Sequence, residues 1–127
     1  MPWLKIDDRF DTHPKTLAVW TRSRAAVALD VFAMTYASRH STDGHVPAAA
    51  VMLWLPDEAE RTEAIAVLVD VGRWRETADG YEVVDFLDYN PTAAQTAERR
   101  ARRAAAGRKG GKASGESRRR STGEPNG

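Results

Sequence analysis

At 127 residues, the chain has room for one domain plus an extension, and its lack of cysteine excludes a disulfide framework and thiolate metal sites. Its longest strongly apolar stretch, "VPAAAVMLWLP", is far short of a membrane span, and "MPWLKIDDRF" has no charged-then-apolar leader pattern, so a cytoplasmic protein without membrane contact is expected. The net charge of +1 hides a split: residues 1–90 hold 9 Lys/Arg against 15 Asp/Glu and residues 91–127 hold 10 against 3, an asymmetry that suggests a basic tail for nucleic acid or an acidic partner.

The first segment, "PWLKID", reads as a short strand or an extended arm. "HPKTLAVWT" reads as a short helix with Pro14 in its first turn. Residues 24–38 predict the central helix of the core. Leu29, Phe32, Ala33 and Tyr36 share one face, extended by Ala25 and Ala28, while Val27, Val31 and Met34 fall elsewhere on the wheel. "STDG" marks a turn, and Pro47 forces His45-Val46 into an extended conformation, enough for a very short strand. "PAAAVMLWL" gives a second helix of about two turns, stopped by Pro56.

The best-delimited helix is "DEAERTEAIAVLVDVG". Asp57 and Glu60 form a capping-box pattern, Ala64, Ile65, Leu68 and Val69 make the expected buried stripe, and Gly72 is a natural stop. "GRWRETADGYEVVDF" then reads as two strands joined by a turn in which Gly80 supplies a positive φ. Alternation puts Arg73 and Arg75 on one side and Trp74, the expected anchor, on the other. Thr92 and Gln95 repeat the capping-box pattern ahead of "AAQTAERRARRAAA", an exposed helix whose only apolar residues are alanines. The remainder is too poor in apolar residues to offset its ordering entropy.

The order helix, very short strand, helix, helix, strand, turn, strand is that of a winged helix-turn-helix. The expected fold is therefore mainly α with a small β-hairpin (α+β): a winged-helix domain over 1–90, an exposed basic helix over 91–106 and a disordered basic tail over 107–127. Four segments, "PWLKIDDRFDTHPK", "TDGHVP", "VGRW…DGYEVVDFLDYNPT" and "RRAAAGRKGGKASGESRRR", resemble a family of small proteins of actinobacterial phages and prophages. These are helix-turn-helix DNA-binding or replication-initiation-like proteins, and the similarity covers nearly the whole chain. The layout is also similar to the N-terminal winged-helix domains of phage replisome organisers. The resemblance implies double-stranded DNA as partner, in replication initiation or transcriptional control. "GRKGGKASG" further resembles the glycine-lysine repeat of small bacterial stress proteins, which implies no mechanism.

Three sets of residues carry the DNA-binding expectation. In the third helix of the winged unit, Arg61 and Thr62 are the candidate base readers, although Glu58, Glu60 and Glu63 around them repel phosphate. In the wing, Arg73 and Arg75 are candidate phosphate contacts, with pairing to Glu76, Glu82 or helix carboxylates as the blander account. In the tail, Arg99, Arg100, Arg102, Arg103, Arg108, Lys109, Lys112, Arg118, Arg119 and Arg120 suit phosphate contact without sequence preference. The tail has no aromatic residue, which argues against stacking on single-stranded bases.

His13, His40 and His45 lack ligand spacing, and no nucleophile, base and carboxylate set assembles, so neither metal, cofactor nor enzyme activity is expected. "GRKGGKAS" departs from a phosphate loop in its glycine spacing and in Ala113. The alternative is a winged-helix interaction module whose acidic third helix recruits a host or phage replication or transcription protein. A palindromic target would require a homodimer.

Overall fold

The computed structural model describes the backbone of residues 3–122 and side chains as far as Arg108. The chain divides into two compact units, Met1–Ala93 and Ala94–Gly127. The first is helical with a small three-stranded antiparallel sheet, an α+β arrangement.

Residues 3–9 form an arm without regular structure, followed by a single 3-10 turn, Phe10–Thr12. Helix α1, Pro14–Arg22, starts where Pro14 has no N–H to lose and His13 Nδ1 accepts from Lys15 N at 3.1 Å. Ser23 serves two helices. Its N–H closes α1 onto Val19 O, and its hydroxyl accepts from Ala26 N to open α2, Arg24–His40. The buried face of α2 is Ala26, Leu29, Ala33, Met34 and Ala37, with Asp30 among them. That corrects the predicted face, whose Ala28 is exposed. Met34 is buried, whereas Phe32 is 51% exposed, because α1, α4 and the sheet cover the side of α2 next to Leu29 and Ala33.

Strand β1, His45–Pro47, leads into α3, Ala48–Trp54, and then α4, Glu58–Val71. Asp57 caps α4 by accepting from Glu60 N at 2.9 Å. Ala64, Val67 and Leu68 are its buried residues, with Ile65 and Val69 partly covered, so the stripe predicted at 65 and 69 is displaced toward Val67. Gly72 ends the helix in the left-handed region at φ 90°, its N–H bonded to the carbonyls of Leu68 and Val69.

Strands β2, Trp74–Glu76, and β3, Gly80–Val83, follow, and the sheet order is β1-β3-β2. Trp74 stands opposite Val83, Arg75 opposite Glu82, and Val46 opposite Tyr81. Trp74 is 2% exposed and anchors the hairpin as expected. The role of Gly80 differs from the expected one. It lies inside β3 without a positive φ, and a Cβ there would stand 2.2 Å from Val46 O. What it supplies is close backbone approach between β3 and β1.

A short helix not foreseen from sequence, α5, Phe86–Tyr89, buries Phe86. After it, buried Asn90 acts as a backbone surrogate for the arm. It accepts from Lys5 N at 2.9 Å and donates to Lys5 O and Phe86 O, both at 3.1 Å. Nearby, the Arg9 backbone N–H holds the Asp7 carboxyl below the usual carboxylate range, and Asp7 in turn raises the Tyr89 hydroxyl above its own.

Helix α6 spans Ala93–Thr122. It begins as predicted and continues beyond residue 106, where composition placed the end of regular structure. Once a helix is nucleated, each added residue contributes one further backbone bond. Residues 123–127 of the expected tail lie outside the described residues. Among the described residues no helix is long and apolar enough to cross a membrane.

Candidate nucleic-acid interface

The start of α4 places Glu58, Glu60, Thr62 and Glu63 on the exposed surface. Arg61 is only half-exposed. Its Nη1 donates to Leu55 O and Pro56 O, both at 3.0 Å, so it holds the end of α3 against the start of α4. The two carbonyls are helix-end acceptors without an intrahelical donor, and a guanidinium nearby satisfies both. Of the two predicted base readers, Thr62 alone is free to face a ligand, and it sits among carboxylates.

In the hairpin segment the two arginines do not share a face. Arg73 precedes β2, and the left-handed Gly72 turns it inward, so strand alternation does not apply to it. Its side chain is 9% exposed. Nε and Nη2 both reach Asp30 Oδ2 at 2.9 Å, and the guanidinium lies 5.0 Å from the Phe10 ring centroid. The indole N–H of Trp74 donates to the other oxygen, Asp30 Oδ1, at 3.0 Å. Burial pushes the Asp30 carboxyl above its ordinary value, opposed by the charge of Arg73 and these hydrogen bonds. Arg73 is therefore a buried structural cation, not a phosphate contact. Arg75 is exposed, but its Nη2 meets Glu82 across the strands at 2.6 Å.

Four other cations of the first unit are also engaged. Lys15 pairs with Asp85 at 3.0 Å and Arg22 with Asp70 at 2.5 Å. Arg24 lies over the Trp20 ring and Arg39 over Tyr36. A DNA surface needs cations able to displace counterions. Here seven of the nine are committed within the fold, on a unit whose net charge is already negative.

The first part of α6 has the opposite character. Arg99, Arg100, Arg102, Arg103 and Arg108 are all exposed. Glu98, the one carboxylate among the described side chains of this unit, pairs with Arg102 one turn away. Lys109, Lys112, Arg118, Arg119 and Arg120 continue the same helix, and their side chains lie outside the described residues.

A second surface is apolar. Trp54 of α3 is met edge-on by Phe32 at 5.8 Å and by Tyr36 at 6.0 Å, both from α2. Met52 and Leu53 beside it on α3 are 55% and 78% exposed. Sequence reasoning missed the roles of Asp30 and Asn90. A lone carboxylate on an otherwise apolar helix face was a usable signal for Asp30, whereas nothing local marked Asn90.

Among the described residues no group of three His, Asp or Glu could hold a metal ion. Comparison with protein-family models, curated proteins and solved structures finds no match.

Proposed function

We propose that this chain is a double-stranded DNA-binding protein of winged-helix layout whose hold on DNA resides in the basic helix α6, not in α4. The element order α2-β1-α3-α4-β2-β3 and the sheet order β1-β3-β2 support the layout. The observation that carries the reading is the contrast in the cations. Seven in the first unit are engaged within the fold, while α6 presents a cluster of exposed arginines beside a single glutamate. The resemblance to phage and prophage proteins makes replication initiation or transcriptional control the setting.

Duplex binding by the full chain across a salt series tests this. Replacing Arg99, Arg100, Arg102 and Arg103 together by Gln is expected to weaken binding about a hundredfold and to flatten the salt dependence. Thr62→Ala with Arg75→Gln is expected to leave binding unchanged. The reverse pattern would return DNA contact to α4 and the wing.

A second reading, a protein-interaction module, is favoured by the exposed Phe32, Met52 and Leu53 and by the acidic start of α4. It predicts host partners that survive nuclease treatment and are lost on Leu53→Asp.

A further inference from the structure

The described part of α6 sorts its side chains by angle. At about 100° per residue, Ala93, Ala94, Ala97, Ala101, Ala104 and Ala105 fall within about 120° of arc. Arg99, Arg100, Arg102 and Arg103 occupy about 160° on the other side, which they share with Gln95, Thr96 and the small Ala106. Arg99 and Arg103, one turn apart, stand at the centre of the basic arc, and Arg100 and Arg102 stand at its edges. Arg108 falls within the alanine arc, where it would put a charge into any seam between two copies of this helix.

We propose that α6 lies in the major groove of double-stranded DNA with its arginine arc inward. Arg99 and Arg103 then face base edges, Arg100 faces the phosphates on one side, and Arg102 reaches those on the other by exchanging its exposed Glu98 partner for phosphate. This rests on the reading that α6 holds the DNA. A helix about 10–12 Å across fits the major groove, about 12 Å wide, but not the minor groove, about 6 Å wide. A helix seated in a groove meets a floor and two walls, which calls for cations spread over a wide arc, as here. A helix lying along one strand would use only a narrow stripe. Two arginines about 6 Å apart along the axis span about two base-pair steps, and the guanidinium fork matches guanine O6 and N7. The alanine side faces outward, away from the DNA.

The test uses the full chain and a mixed-sequence duplex followed by fluorescence anisotropy. Methyl green, a major-groove ligand, is expected to displace the protein, and netropsin, a minor-groove ligand, is not. Arg100→Gln with Arg102→Gln is expected to weaken binding to all duplexes alike and to reduce the salt slope by about 2. Arg99→Gln with Arg103→Gln is expected to abolish the preference for G·C-rich over A·T-rich duplexes. Circular dichroism confirms that each variant keeps its helix. Displacement by netropsin alone, or identical behaviour of the two pairs, overturns the groove assignment and leaves DNA binding by α6 standing. Absence of duplex binding by the unsubstituted chain at low salt overturns both.

Discussion

Gly72 and Gly80 are both required by the fold, for different physical reasons. Gly72 sits at φ 90° with open space where its Cβ would go. Gly80 has an ordinary backbone conformation but no space, with Val46 O, Ala48 N and Pro47 Cα all within 3 Å of a built Cβ. A side chain at 72 meets only the left-handed penalty, so Gly72→Ala is expected to cost about 1–2 kcal/mol and Gly72→Asn less. At 80 the sheet itself must move, and Gly80→Ala is expected to cost about 3 kcal/mol or more. Urea denaturation of the three variants checks this. Equal losses at the two positions, or recovery of Gly80→Ala by asparagine, would contradict the assignment. The sequence marks Gly72 as a helix stop, which it is, and Gly80 as a turn residue with positive φ, which it is not. Close approach depends on a neighbour more than thirty residues away, which no local pattern reports.

At the scale of elements, the hairpin shows how much a short sheet borrows. Strands of three and four residues are marginal alone in water. This pair is held by Trp74 in the core, by β1 along its free side, and by the Asp30 carboxylate that takes both the Arg73 guanidinium and the Trp74 indole. Asp30 thus ties the middle of α2 to the start of the hairpin. Asp30→Ala leaves a buried guanidinium unpaired and is expected to cost about 3–5 kcal/mol. Asp30→Leu combined with Arg73→Met removes both charges and is expected to recover part of that loss. Guanidinium unfolding of the single and double variants provides the comparison, and a single variant as stable as the parent would rule out the tie. The helices were legible because their signals are local: Pro14, Asp57 and Gly72 lie at or next to the ends they mark. Helix α5 was not, because four residues carry no period and Phe86 is recognised only by the core it fills.

For the whole molecule, charge and packing divide along the chain. Every residue of the buried core lies between Val19 and Phe86. The arginine-rich helix contributes exposed charge to a separate unit. A chain ending at Ala93 is therefore expected to unfold with the midpoint of the full protein while losing its affinity for duplex DNA, as scanning calorimetry and anisotropy would show. A large fall in the midpoint would mean that the basic helix supports the fold. The division of charge was readable from composition, since it needs only the order of residues. So were α1 to α4 and the turn positions, which depend on neighbours a few places away. What tertiary structure alone decided was which cations are available. Arg61 and Arg73 look like surface residues in sequence and are tied down by Leu55, Pro56 and Asp30. Availability is a property of partners brought together by folding, and those partners can lie as far off as Asp30 and Arg73, forty-three positions apart.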